Sequence, residues 1–237
     1  MPATEFKGKS GTDAYGDWLY EGDWVIGQIL EALERNHLAD NTLVIATSDN
    51  GAAGLAYAPL RGSKSSIYEG GHRVPFLARW PGKIKAGSTC EDTVCLNDLI
   101  ATSAEIVGAK LPDNAAEDSV SILPDLLGTA KGPVREATIH QAPNRDLAIR
   151  QGPWKLIFSN GGTRELYNLQ TDLSETKNVA AAEPATVEKL TVIMQRHMDN
   201  GRSTTGAAQK NGVEMTLGKG GQEGTGKRGK KKAGKEK

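Results

Sequence analysis

The sequence predicts an α/β fold in three parts. These are a helix-and-strand domain over about residues 1–128, a small antiparallel α+β subdomain over about 129–200, and a disordered Gly/Lys-rich tail over 201–237. Three observations predict it. Apolar and small residues recur in steps of three and four from Tyr15 to Leu33, which marks a long amphipathic helix. An unbroken, β-branched run, Thr42-Leu43-Val44-Ile45-Ala46-Thr47, follows with no polar alternation, as in a strand covered on both faces of a parallel sheet. After Gly128 the pattern changes to short strands separated by turn residues.

The first helix is expected over about Asp13–Glu34. Tyr15, Trp18, Leu19, Val25, Ile26, Ile29, Leu30 and Leu33 lie on its apolar face, Thr12 or Asp13 is its cap, and Asn36-His37 marks its end. A second buried strand spans Val74 to Trp80 and is closed by Pro81-Gly82. A helix over about Leu96–Val107 turns Leu99, Ile100 and Ala104 toward the core and stops at Gly108. The later strands are Thr138–His140, Leu147–Arg150 and Trp154–Phe158, and Asn160-Gly161-Gly162 turns the chain into Thr163–Asn168 as a hairpin. A last helix, about Pro184–Met198, takes proline in its first turn and presents Val187, Leu190, Met194 and Met198 on one side.

Composition narrows the function classes. No run of 18 apolar residues exists, which excludes a transmembrane helix, and Met1–Lys7 has no apolar core of the kind a signal peptide needs. Two cysteines exclude a disulfide-built scaffold and a four-cysteine zinc site, although Cys90 and Cys95 are near enough in sequence to pair. The zero net charge conceals an asymmetry. Residues 201–237 hold 10 of the 29 basic and 3 of the 29 acidic groups, leaving 19 and 26 for the rest. Such a tail is either a solvated terminus or a contact for polyanions such as sulfated glycans or nucleic acid.

Two segments carry candidate chemistry. The strand ending at Thr47 runs into Ser48-Asp49-Asn50-Gly51, and ligands of open α/β sheets bind beyond the carboxyl ends of strands. Asp49 and Asn50 offer hard oxygen donors suited to Ca²⁺ or Mg²⁺, but Asp-Asn-Gly is equally a good turn. The loop from Pro59 to Pro75 is rich in Gly, Ser and cations. Its glycines permit close backbone approach to a ligand, and Lys64 and Arg73 bring positive charge suited to a tetrahedral anion. The plainer reading makes Lys64 an exposed loop cation and Glu69–Arg73 a structural ion pair.

In combination, SDNG followed by LRGSK, YEGGHRVPF and RWPG resembles the sulfatase family, the formylglycine-dependent sulfate-ester hydrolases of alkaline-phosphatase-like fold. The likeness extends from Tyr15-Gly16-Asp17 upstream to Ala148–Ile157 and Glu165-Leu166-Tyr167-Asn168-Leu169 downstream, about residues 5–200, and looks closest to bacterial arylsulfatases. It implies a partial alkaline-phosphatase-like sandwich, Asp49 and Asn50 as two Ca²⁺ ligands, and Lys64 as the lysine that contacts the substrate sulfate. Arg73 is read first as structural, and His140, which matches no motif, as a satisfied structural histidine. The implied partner is a sulfated small molecule or glycan, and the family suggests an exported or periplasmic protein.

The family's nucleophile, a formylglycine made within a Cys/Ser-x-Pro/Ala-x-Arg motif, has no counterpart. Cys90 precedes Glu91-Asp92-Thr93 and Cys95 precedes Leu96-Asn97-Asp98. The family's early acidic pair is also missing. The expectation is therefore a C-terminal portion of a sulfatase, with Met1 an internal methionine of a longer enzyme or the start of a truncated gene. Without its early strands, the sheet would expose edges and apolar helix faces. Two other readings stand beside it: a catalytically inactive remnant or binding module, and a phosphate mono- or diester hydrolase on the same scaffold.

Overall fold

The computed structural model describes residues 1–54, 57–213 and 216–217. It is mixed α/β and divides into two units, one of Met1–Gly51 with His72–Glu136, the other of Ala52–Gly71 with the chain from Ala137 on. Among the described residues no helix is long and apolar enough to cross a membrane.

In the first unit, α1 (Ala14–Arg35) begins at Asp13, whose carboxylate accepts the Gly16 amide, and ends at Asn36, which caps Ala32. Asp17, on its first turn, is buried and takes hydrogen bonds from the Gly8 and Ser10 amides and the Ser10 hydroxyl. Those donors stabilise the carboxylate and hold its pKa below the usual value. The N-terminal segment is thereby tied to α1, where Phe6 packs against Trp24 at 5.3 Å between ring centroids.

The expected apolar face of α1 exists but is not buried. Trp18, Leu19, Val25 and Ile29 are 44–50% exposed. The strands beside it explain why. β1 (Val44–Thr47) and β2 (Phe76–Arg79) pair with each other, antiparallel, as a two-stranded sheet with Val44 opposite Arg79. The continuous apolar run of β1 predicted a parallel sheet covered on both faces. Instead both strands are half-buried or exposed, because two strands offer too little area to cover an α1 face of this length.

The helix α3 (Asp98–Ile106) also differs in its facing. Ala104 is buried as expected, but Ile100 is 55% exposed, and the inward side is led by Asp98 and Thr102. Asp98 receives the amides of Cys95 and Val120 and pairs with Arg135 at 2.5 Å. Thr102 receives the Ile122 amide. Polar anchoring of the 118–122 segment, rather than apolar packing, sets this helix's rotation. Short α4 (Leu123–Leu126) follows. Cys90 and Cys95 are both free thiols and do not pair.

The second unit contains a four-stranded antiparallel meander, β3 (Thr138–Gln141), β4 (Leu147–Gln151), β5 (Trp154–Phe158) and β6 (Arg164–Asn168), in sequence order. Strand alternation sorts its residues onto two faces. Leu147, Ile149, Leu156, Phe158 and Leu166 meet Leu190, Ile193, Met194 and Met198 of α5 (Pro184–Asn200). Ala148, Ile157 and Tyr167 form a second cluster with Ile67 of the preceding loop and Leu169.

Residues 201–209, which the sequence predicts as tail, turn back toward the end of α5. Gly201, at φ +60°, turns the chain back, Gln209 donates to the Asn200 carbonyl, and the Arg202 side chain is buried. A Cβ at Gly201 would collide with the Gln209 carbonyl, so glycine is required for this return. The Gly/Lys-rich stretch 218–237 lies outside the described residues.

Candidate functional site

Asp49 and Asn50 stand where the sequence places them, directly beyond the carboxyl end of β1. Asp49 is exposed, and the Asn50 amide nitrogen donates to the Gly51 carbonyl, which leaves its side-chain oxygen as an acceptor. The Ser48 hydroxyl bonds the Asn50 carbonyl and holds the turn. A carboxylate and an amide oxygen on consecutive residues fit a hard cation such as Ca²⁺, and they supply part of the six to eight oxygens it takes.

Lys64 belongs to the second unit. Its side chain is exposed, and its amide donates to the Ala52 carbonyl. The loop around it is tightly packed against its own backbone. Gly62 adopts φ +80°, and Gly70 and Gly71 are buried at the start of α2 (Glu69–His72). A Cβ on Gly71 would strike the Ser66 carbonyl, and one on Gly70 the Gly62 and Arg61 carbonyls. The glycines read from sequence as room for a ligand are therefore room for the loop's own backbone.

Side chains pin this loop to the second face of the sheet. Glu69 is 1% exposed, and its carboxylate lies 3.0 Å from the ammonium of Lys155, itself fully buried on β5. Lys155 also lies 2.8 Å from the carboxylate of Glu175, and Arg150 approaches Glu69 at 3.5 Å. Glu175 accepts the Glu69 amide at 2.7 Å. Burial pushes the Glu175 carboxyl up, while the charge of Lys155 pulls it back. Glu175 also sits at φ +50°, a left-handed conformation uncommon outside glycine, while its carbonyl accepts from Arg61 at 2.7 Å.

Arg61 lies 3.6 Å over the Tyr68 ring and donates to the Tyr167 hydroxyl. Tyr68 and Tyr167 both donate to one oxygen of Glu165, at 2.9 and 2.6 Å. Burial and that carboxylate raise both phenols, Tyr68 to about 12. A phenol raised in the folded state favours folding below its ordinary value, and the favour is lost as pH rises through the folded value. Between about pH 10 and 12, stability should therefore fall as these tyrosines ionise. A tyrosinate absorbance titration should show a late phase that disappears in Tyr68→Phe/Tyr167→Phe; an unchanged titration would refute it.

Of the residues singled out in the sequence, Asp49 and Asn50 are adjacent at a strand end, and Lys64 rides on the anchored loop. Glu69 is engaged by Lys155 and Arg150. His140 contacts Thr138 on β3 at 3.3 Å, as a structural histidine does. Sequence reasoning gave no role to Lys155, Glu175, Arg61 or Glu165. The available signal was Lys155, the one charge inside the apolar run Trp154–Phe158.

Known proteins are similar to this chain over most of its length. The family model named Sulfatase matches residues 2–109, and that of the N-sulphoglucosamine sulphohydrolase C-terminal region matches 63–204. The N-acetylgalactosamine-6-O-sulfatase of Bacteroides thetaiotaomicron is 35% identical over 225 residues, covering 82% of this chain and 44% of the relative. The human N-acetylgalactosamine-6-sulfatase is 43% identical over 130 residues, covering 52% of this chain and 25% of the relative. A solved Bacteroides thetaiotaomicron structure, described under metabolism of multiple glycosaminoglycans, matches with a TM-score of 0.73 at 33% identity, covering 81% of this chain and 46% of its own. A Pseudoalteromonas sulfatase matches at 0.75 and 26%, covering 83% and 45%. The chain spans less than half the length of each of these relatives.

Proposed function

This chain belongs to the sulfatase family, and from that premise we propose that it supplies the metal-and-sulfate-binding portion of a sulfate monoester hydrolase. The observation that carries the reading is the Asp49-Asn50 pair at the end of β1, followed by Lys64 on a loop locked to its sheet by buried charges. Asp49 and Asn50 would hold Ca²⁺ through their side-chain oxygens. When bound, that ion supplies positive charge against sulfate oxygens. Lys64 presents an ammonium to the sulfate and offsets charge that builds on its oxygens as the ester bond breaks. The anchored loop fixes the backbone from which that exposed side chain reaches.

The sequence contains no Cys/Ser-x-Pro/Ala-x-Arg motif from which a formylglycine nucleophile could form. The 237-residue chain alone is accordingly expected not to turn over. The proposed substrate class is a sulfated glycan or small aryl sulfate, in keeping with relatives named for sulfated N-acetylgalactosamine.

The test is a substrate panel on the polypeptide isolated from its native host, alongside the 237-residue chain. The host polypeptide should hydrolyse an aryl sulfate, lose that activity to a chelator and regain it with Ca²⁺. Hydrolysis of aryl phosphate or a phosphodiester in place of sulfate would move the assignment to the phosphate-ester reading. No turnover of any ester would leave a binding module.

A further inference from the structure

The segment between β2 and α3 and the short helix α4 converge on a second donor set, within the first unit and separate from Asp49 and Asn50. The sulfur of Cys90, a carboxylate oxygen of Asp92 and one of Asp125 all lie within 4.8 Å of one another. Cys90 is exposed and open to solvent, while the two aspartates are half-buried. Both carboxylate oxygens of Asp125 are sealed from solvent and have no hydrogen-bond partner. A buried, unpartnered carboxylate is costly, and neighbouring a second carboxylate makes it costlier. Burial pushes the Asp125 carboxyl upward, as do the facing charge of Asp92 and the hydrogen bond that the two carboxyls share once one of them carries a proton.

Two species could relieve it, a shared proton or a cation. The thiol favours the cation. A shared proton needs only the two carboxyls, whereas a sulfur completing the triangle adds a soft donor to two hard ones. That mixture suits a borderline transition-metal ion and excludes Ca²⁺ and Mg²⁺, which take oxygen alone. We infer that Cys90, Asp92 and Asp125 form a Zn²⁺ site, with a water in the fourth position. Zinc bonds of about 2.3 Å to sulfur and 2.0 Å to oxygen bring tetrahedral donors within ~4 Å of one another. A rotamer adjustment at exposed Cys90 closes the set. The ion would tie the 90–92 segment to α4, and the thiol proton leaves to solvent on binding. The site takes no part in the proposed ester hydrolysis, so its failure and that of the proposed function are read separately.

The test uses the 237-residue chain with Zn²⁺ or Co²⁺ alone. Zn²⁺ should compete with a chromophoric chelator at one site per chain, and Co²⁺ should give a thiolate-to-metal charge-transfer band. Cys90→Ser should abolish the band and weaken Zn²⁺ at least tenfold. Asp125→Asn should weaken it similarly, and Cys95→Ser should change neither. Circular dichroism confirms that each variant is folded. No thiolate band, or a band lost in Cys95→Ser and kept in Cys90→Ser, would overturn the site. So would Asp125→Asn raising thermal stability with Zn²⁺ affinity unchanged, the signature of a proton-sharing pair.

Discussion

Replacing Lys155 with methionine should destabilise the second unit by about 3–5 kcal/mol at neutral pH, the usual cost of breaking a buried charge pair from one side. Methionine keeps most of the lysine stem and its packing, so the loss isolates the charge. Lys155 is fully buried and stands between the carboxylates of Glu69 and Glu175, at 3.0 and 2.8 Å. Without it, two carboxylates share a dry space, with Arg150 3.5 Å from one of them.

The pH dependence gives this prediction a second edge. The Glu175 carboxyl already lies above its ordinary value of 4.5, and losing Lys155 removes what pulls it down. A carboxyl raised in the folded state favours folding below its ordinary value and loses that favour as pH rises through the folded one. The variant should therefore regain part of its stability on acidification. Lys155→Met combined with Glu69→Gln and Glu175→Gln should recover most of the loss at neutral pH, since the amides need no counter-charge and still accept hydrogen bonds. A chemical denaturation series decides it: a K155M loss under 1 kcal/mol would mean that this cluster does not hold the loop.

That cluster also marks the boundary of what was legible in the sequence. Elements defined by local signals were readable to within a few residues. The Asp13 cap and the steps of three and four define α1, Asn160-Gly161-Gly162 defines the β5–β6 turn, and Pro184 opens α5. Pairing across distance was not readable. The run Leu43–Ala46 marks a strand but names no partner, and its partner proved to be antiparallel β2. The meander was expected to have a helix on one side. Its other face is covered by Ile67, Tyr68 and Glu69, about a hundred positions from their partners Glu165 and Glu175. No periodicity encodes that. The candidate ligands Asp49, Asn50 and Lys64 were legible because they belong to contiguous motifs. Their support was not, because Lys155 looks like any strand lysine until its neighbours are known.

Lys64 should behave in the opposite way to Lys155. In the host polypeptide, Lys64→Ala is expected to lower kcat/KM for an aryl sulfate by about 10²–10³, the cost of removing one preorganised charge that stabilises a transition state. Its effect on stability should stay within about 0.5 kcal/mol, because the side chain is exposed and only its backbone amide, which alanine retains, is bonded to Ala52. Lys64→Arg should keep part of the activity, since the charge is preserved while the donor geometry changes. The contrast separates positioning from contact. Lys155→Met should lose activity only as the loop loosens, with kcat/KM tracking the unfolded fraction across temperature. Lys64→Ala should lose activity at every temperature with the fold intact. Near-normal turnover in a folded Lys64→Ala protein would refute the sulfate contact and leave Lys64 an ordinary loop cation.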